Sequence, residues 1–266
     1  MRPSTALFLF LTLLTLSGVT EAQDFQKGVE AAQRGNYEKA LQEWTPLAEQ
    51  GNAIAQNKIG VMYALGQGVP RDDSEAVRWF RKSAEQGYAA AQNNLGKMYE
   101  KGKGVPQNYS EAIRWFRESA EQGYSAAQKS LGAMYAHGKG VPKDYSKTVR
   151  WFRESAKQGD ATAQYILGSM YDHGDGVPTD NGEAIQWYRK AAEQGYANAQ
   201  HSLGLMYDKG EGVPKSPVQA YKWVSLASAQ GKKGAKDFLK HLEDEMTRDQ
   251  IAEAQSKAKE WWDANK

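Results

Sequence analysis

The chain repeats one block of residues every 36 positions. Each block carries a glycine, a tyrosine and a tryptophan at fixed offsets, and five complete blocks follow one another without a gap. The glycines are Gly51, Gly87, Gly123, Gly159, Gly195 and Gly231; the tyrosines are Tyr63, Tyr99, Tyr135, Tyr171 and Tyr207; the tryptophans are Trp79, Trp115, Trp151, Trp187 and Trp223. A single block of this length cannot bury its own apolar residues, so consecutive copies must stack on each other.

Each block begins with a pattern that predicts a helix, here called helix A. In the first block Ala55, Ile59 and Tyr63 are four residues apart, which places them on one side of a helix from about Asn52 to Leu65. The sequence Gly-x-Gly-Val-Pro then follows in all five copies. Glycine accepts the positive φ that ends a helix and proline cannot continue one, so the chain turns at this point.

A second helix, here called helix B, is predicted after the turn. Asp72 followed by Glu75 is a capping-box pattern for its start, and Ala76, Trp79 and Phe80 give it an apolar face. It ends near the next recurring glycine. The predicted fold class is therefore all-α, a right-handed α-solenoid of stacked antiparallel helix pairs with a C-terminal capping helix.

One further glycine recurs inside helix A, where it is unfavourable. It costs about 1 kcal/mol relative to alanine at such a position. The five copies are Gly60, Gly96, Gly132, Gly168 and Gly204. We expect a neighbouring helix to come close to the chain where this side chain is missing.

The repeats are flanked by segments of a different character. Residues 1–22 carry the basic Arg2 near their start, continue with an apolar run at 6–16 and end in small residues, which is typical of a secretory signal peptide. The run is too short to span a bilayer, which needs about 20 residues. We expect N-terminal capping helices or a partial repeat at 23–50, five repeats at 51–230, and a partial repeat with a capping helix at 231–266. The mature chain is then expected in the periplasm or outside the cell, without insertion into a membrane.

Composition argues against several classes of function. The chain has 34 Lys and Arg against 32 Asp and Glu, and a formal charge of +2 is too small to make nucleic acid the expected partner. The absence of cysteine excludes disulfides, thiolate zinc sites and cysteine nucleophiles. His137 and His173 are one repeat apart but lack further ligands, so we expect no metal and no cofactor. Ser256 and Lys259 fit Ser-x-x-Lys without its companion motifs, so we expect no catalysis.

The segment from Ala89 to Pro106 reads Ala-x-Ala-Gln-x-x-Leu-Gly-x-Met-Tyr-x-x-Gly-x-Gly-Val-Pro. It resembles the signature of Sel1-like repeats, relatives of tetratricopeptide repeats with a longer loop between the two helices, and the resemblance extends over about residues 23–262. It implies a non-catalytic adaptor that holds protein or peptide partners. We expect the mature chain to be a monomer. Exported bacterial examples are associated with the cell envelope and with host interaction. A cysteine-rich branch has been linked to β-lactams, so an envelope enzyme acting on β-lactam or peptidoglycan-like substrates is the alternative.

The positions at which the copies differ point to a binding surface. On helix A they recur at i, i+3, i+4 and i+7, opposite the apolar side, and helix A usually lines the concave face of such solenoids. We expect them to form a ladder for an extended peptide. The candidate residues are Asn57, Lys58, Asn93, Asn94, Lys97, Lys129, Tyr165, Ile166 and His201. The adjacent apolar residues Tyr165 and Ile166 favour a binding surface. The alternative is an exposed surface whose residues vary because no constraint acts on them. A purely structural spacer remains a third reading.

Overall fold

The structure, a computed structural model, describes residues 22–265. Within this range the regular structure is helical and no strand occurs, which confirms the all-α prediction. The chain divides into two compact units with a boundary between Ala127 and Gln128. The predicted signal peptide lies outside the described residues except for Ala22, and no described helix combines the length and the apolar character needed to cross a membrane.

The first unit consists of successive antiparallel helix pairs. A helix at 22–33 (α1) precedes α2, and the next helices alternate between helix A and helix B. Their bounds are Tyr37–Glu49 (α2), Ala53–Leu65 (α3), Asp73–Glu85 (α4), Ala89–Lys101 (α5) and Tyr109–Glu121 (α6). Each helix from α2 to α5 packs against the next one, so the last of these contacts is between α5 and α6. The predicted helix A of the first block therefore begins and ends where the pattern placed it.

The second unit continues the same alternation and ends in a different helix. Its helices are Ser125–His137 (α7, most of which lies in this unit), Tyr145–Lys157 (α8), Ala161–His173 (α9), Asn181–Glu193 (α10), Ala197–Lys209 (α11), Pro217–Ala229 (α12), Ala235–Glu245 (α13) and Arg248–Ala264 (α14). Helix α14 starts with a capping box formed by Thr247 and Gln250. It packs on α12 and buries Ala254 and Ala258, so it covers the last helix B as a cap.

The glycine inside helix A allows the two helices of one repeat to touch. A Cβ atom at Gly96 would lie 2.7 Å from Cδ1 of Phe116, which is fully buried in the partner helix α6. Equivalent glycines meet an aromatic ring in three other repeats: Gly60 meets Phe80, Gly132 meets Phe152 and Gly168 meets Tyr188. The predicted close approach is confirmed, and the missing side chain makes room for the ring of the facing helix.

The second glycine of the loop joins consecutive repeats. Gly104 has a φ of 68°, and a Cβ atom there would overlap the backbone of Asp73 and Ser74, in the first turn of the preceding helix B. Gly176 and Gly212 meet the equivalent backbone of their own preceding repeats. The loop motif therefore does more than reverse the chain, because it also seats each repeat on the one before it.

A buried glutamine in helix A also links consecutive repeats. The Nε2 atom of Gln92 donates to the backbone oxygen of Ala84 at 3.3 Å, at the end of the preceding helix B. Its Oε1 accepts a hydrogen bond of 2.7 Å from Gln122, at the end of its own helix B. Gln164 and Gln200 make the same pair of bonds. A buried amide needs such partners, so each glutamine fixes the position of one repeat on its neighbour.

The recurring tyrosine makes a third link of this kind. The hydroxyl of Tyr99 accepts a hydrogen bond of 2.9 Å from the guanidinium of Arg81, which lies on helix B of the preceding repeat. Tyr171 accepts from Arg153 at 2.6 Å, and Tyr207 accepts from Arg189 at 2.9 Å. This row of arginines is thus part of the packing between repeats as well as of the polar surface.

Candidate binding surface on helix A

The variable positions of helix A fall into two sets with different surroundings. We call the first set the seam row, since it follows the junction between repeats: Asn57, Asn93, Lys129, Tyr165 and His201. We call the second set the groove row: Lys58, Asn94, Lys97 and Ile166. The sequence pattern placed all nine residues on one exposed surface, and the structure separates them.

Two members of the seam row are buried, contrary to the prediction that this surface faces solvent. Asn57 is 6% exposed and Asn93 is 2% exposed. The Oδ1 atom of Asn57 accepts a hydrogen bond of 3.0 Å from Nδ2 of Asn94, one repeat further along. The prediction was wrong for these two asparagines because their side chains point into the junction between neighbouring repeats.

Lys129 in the seam row is held by the next repeat. Its Nζ lies 2.7 Å from Oδ2 of Asp160, the residue that caps the start of α9. The other carboxylate oxygen of Asp160 accepts from the backbone nitrogen of Ala163 at 2.8 Å. The ammonium group therefore stabilises a helix cap. This contact explains why a lysine is present at position 129 without invoking a bound ligand.

The aromatic members of the seam row pack on rings of neighbouring elements. The ring of Tyr165 lies 5.7 Å from that of Tyr188 and 5.3 Å from that of Tyr196. The ring of His201 meets that of Phe238 edge-on at 6.1 Å. Burial lowers the pKa of His201, and the charge of nearby Lys232 lowers it further. Both side chains are partly buried contacts between repeats.

A pocket of about 300 Å³ opens beside the seam in the second unit. It lies among α7, α8 and α9, and its apolar lining includes Phe152, Tyr165, Ile166 and Met170. Tyr145, at the first position of helix B, also lines the pocket and is 45% exposed, so the pocket can be reached from solvent. Of the predicted residues, the structure brings Tyr165 and Ile166 together here. Tyr145 was missed because the sequence pattern assigned the variable surface to helix A alone.

The first unit has a pocket of the same volume at the same place in the repeat. It lies among α3, α4 and α5, and nine of its ten lining residues have a counterpart 72 residues later in the pocket of the second unit. Asn94 and Lys97 of the groove row line it. Lys58, the remaining groove-row residue, is exposed, with its Nζ 5.9 Å from the centre of the Trp44 ring.

The side chains of Ser169, Asp172 and His173 are not arranged as a serine triad. Nδ1 of His173 lies 3.4 Å from Oγ of Ser169 and 3.9 Å from a carboxylate oxygen of Asp172. A serine triad uses both ring nitrogens, whereas the same nitrogen faces both groups here. Ser256 of the Ser-x-x-Lys sequence donates to Glu260 at 3.0 Å. Among the described residues no cluster of three or more metal-binding side chains occurs.

Tyr188 is the one ring of its series with a hydroxyl group, and that group is bound. It replaces the phenylalanine found at Phe80, Phe116 and Phe152, and it donates to a carboxylate oxygen of Asp172 at 3.1 Å. Burial raises the pKa of this hydroxyl, and the charge of Asp172 raises it further. It therefore stays protonated and cannot serve as a base near neutral pH.

The sequence model of the Sel1 repeat family matches residues 53–88, 89–124, 125–160, 161–196 and 197–232. The chain belongs to the Sel1 repeat family. A Sel1 repeat protein from Oxalobacter formigenes is 34% identical, with 91% of this chain and 96% of that chain covered and a TM-score of 0.74. These repeats account for the all-α architecture of stacked helix pairs.

Two further solved structures are more distant. The protective antigen c5321 of uropathogenic Escherichia coli is 29% identical over 91% of this chain and 68% of that chain, with a TM-score of 0.44. The immunity protein Pa5087 of Pseudomonas aeruginosa is 20% identical over 80% of each chain, also with a TM-score of 0.44. At these scores neither supports an argument about this chain. No curated protein matched the sequence.

Proposed function

We propose that this Sel1 repeat protein is a non-catalytic scaffold that binds an extended segment of a partner protein along its helix-A surface. The observation that carries the proposal is the pocket of the second unit, where Tyr145, Tyr165 and Ile166 line a space of about 300 Å³. A pocket of this size accepts one large side chain of a partner, and buried aromatic or aliphatic anchors supply much of the affinity of such complexes.

The fold does not require this apolar lining. The first unit has Asp73 where the second has Tyr145, and Asn94 where the second has Ile166, with the same pocket volume. Repeat packing therefore tolerates either polar or apolar groups at these positions. Partly exposed apolar side chains around a pocket support a role in recognition.

The same comparison supplies a test with little effect on folding. We would replace Tyr145→Asp and Ile166→Asn, which gives the second pocket two residues that the first already accommodates. The matched control is Gln186→Ala, at an exposed position on helix B of the same unit. Helical circular dichroism should be unchanged in both variants. The urea midpoint should be unchanged in Gln186→Ala and slightly lower in the double variant, because Ile166 packs against the core of its unit.

The partner would be found by crosslinking rather than by simple capture. A photoreactive residue at position 166 of the mature chain should crosslink to one envelope or secreted protein, and the same group at position 186 should not. The purified partner should then bind the Tyr145→Asp/Ile166→Asn variant at least tenfold more weakly than it binds the wild type. Equal affinity for both would overturn the proposal.

We also propose that the chain is exported and works in the periplasm or outside the cell. The basic start, short apolar run and small residues of 1–22 support this proposal. Cell fractionation followed by mass spectrometry should find a chain that starts at Gln23 outside the cytoplasm. An uncleaved chain in the cytoplasmic fraction would contradict export without bearing on the binding site.

A further inference from the structure

We propose that the pocket of the first unit recognises an acidic segment of the partner, with an apolar side chain in the pocket and flanking carboxylates paired with Lys101 and Lys103. This inference rests on the proposed function and adds the chemistry of the ligand. The two lysines line the pocket together with Lys97, and Asp73 is its only acidic lining residue.

Asp73 compensates the charge of the lysines only in part. Both carboxylate oxygens of Asp73 are bound by Arg71, at 3.2 Å from Nε and 2.8 Å from a terminal nitrogen. Arg71 holds the pKa of Asp73 below its usual range, and Lys103 lowers it further. The acid therefore already has a cation of its own, and the rim of the pocket keeps an excess of positive charge.

Lys101 and Lys103 differ in this respect from many basic residues on the surface. Within residues 22–265 neither takes part in an ion pair. By contrast, Arg114 lies 2.9 Å from Glu111, and Lys147 lies 3.0 Å from Asp144. Lys101 ends α5, where a cation is favoured by the helix carbonyls. Lys103 lies beyond the helix, and its charge interacts with Asp73 without forming an ion pair.

The repeat does not require positive charge at these positions. Lys97 and Lys103 correspond to Ser169 and Asp175 in the pocket of the second unit. The two pockets thus share a location in the repeat and differ in charge. A difference of this kind gives a scaffold selectivity for one sequence pattern over another.

The interior of the first pocket selects a protein segment over an anionic polymer. Its lining includes Val61, Leu65, Phe80 and Met98, and Leu65 is 62% exposed. A phosphate or sulfate polymer could pair with the lysines but would leave these apolar groups in water. A peptide with a leucine or phenylalanine between carboxylates satisfies both parts of the pocket.

The test is a selection of random dodecapeptides displayed on phage against the purified mature chain. We expect the selected family to carry at least two acidic residues next to a large apolar one. A synthetic member of that family, labelled with fluorescein, should bind at least tenfold more weakly to the Lys101→His/Lys103→Asp variant, which introduces the residues found 72 positions later. An alanine in place of the apolar residue of the peptide should have a similar effect.

Controls separate site-specific charge from net charge. The Lys233→Gln/Lys236→Asp variant changes the formal charge equally at exposed positions of the C-terminal segment, and its affinity should stay within twofold of the wild type. The selected peptides could instead lack acidic enrichment and bind less well to the Tyr145→Asp/Ile166→Asn variant than to the wild type. That result would overturn this inference and leave the proposed function standing. Selection of no peptide would count against both. Equal competition by heparin, which has no apolar side chain, would overturn the inference in favour of a polymer.

Discussion

Alanine at Gly96 tests the claim that the helices of one repeat are held at a distance that only glycine allows. In an isolated helix this change would stabilise by about 1 kcal/mol. In the folded chain the new Cβ would lie 2.7 Å from two atoms of the Phe116 ring and 3.2 Å from the backbone oxygen of Ala112. The ring would have to retreat by about 0.7 Å to reach ordinary van der Waals contact at 3.4 Å.

Phe116 has no space for that movement, since it is fully buried. Overpacking of such a core costs about 1–3 kcal/mol and a backbone contact adds to it, so we expect a net loss of about 1–2 kcal/mol of unfolding free energy. The reference substitution is Gly132→Ala. There the Cβ would be 3.2 Å from the ring of Phe152, which borders the pocket of the second unit and can shift toward it. We expect this variant to gain about 0.5 kcal/mol from helix propensity.

Urea unfolding followed by circular dichroism at 222 nm measures both variants, with midpoints compared at unchanged slope. The Phe116→Leu background gives a further check, because removal of the ring should reduce the cost of Gly96→Ala by about 1 kcal/mol or more. If Gly96→Ala and Gly132→Ala shift the midpoint equally, or if the first stabilises the chain, close helix contact is not the reason for the glycine.

Three further predictions concern the links between repeats and one titrating group. Gln164→Ala removes one buried and one partly buried hydrogen bond and should lower the unfolding free energy by about 2–3 kcal/mol. Gln194→Ala, at the exposed end of the same network, should lower it by about 1 kcal/mol, and equal losses in urea would contradict the link. Gly104→Ala should cost about 3 kcal/mol or more through overlap with the preceding repeat, whereas Gly35→Ala, with a similar φ of 76° and nothing within 4 Å, should cost about 1 kcal/mol. Burial lowers the pKa of His201, so the imidazole takes up a proton at higher pH in the unfolded chain than in the folded chain. Thermal stability should therefore decrease from pH 7 to pH 5, and it should decrease less in His201→Gln. Parallel pH profiles of the two proteins would contradict the assignment.

Local physical rules explain how far the sequence predicted the fold. Helix α3 begins after Asn52 and ends at Leu65 as expected, because capping and positive-φ glycine act within a few residues. The glycine inside helix A predicted a close contact because it destabilises the helix. The sequence did not show that the contact would be with an aromatic ring of the same repeat.

The candidate surface was harder to predict because a helix in a repeat array has several neighbours. The apolar spacing of helix A defines its contact with its own helix B. It does not say which of the remaining positions face the next repeat. Lys129 illustrates the difficulty, since its partner Asp160 lies 31 residues away and no spacing rule connects the two. The buried Asn57 and Asn93 were assigned to solvent for this reason.

The sequence by itself therefore determined the repeat, the two helices and loop of each copy, the caps, and the need for close packing between helices. Only the tertiary structure decided which variable residues lie in the junction between repeats and which line the pockets. The physical reason is that helix boundaries depend on neighbouring backbone and side-chain groups. The angle between successive repeats depends on contacts such as the glutamine and arginine–tyrosine links, which form only when the whole repeat has packed.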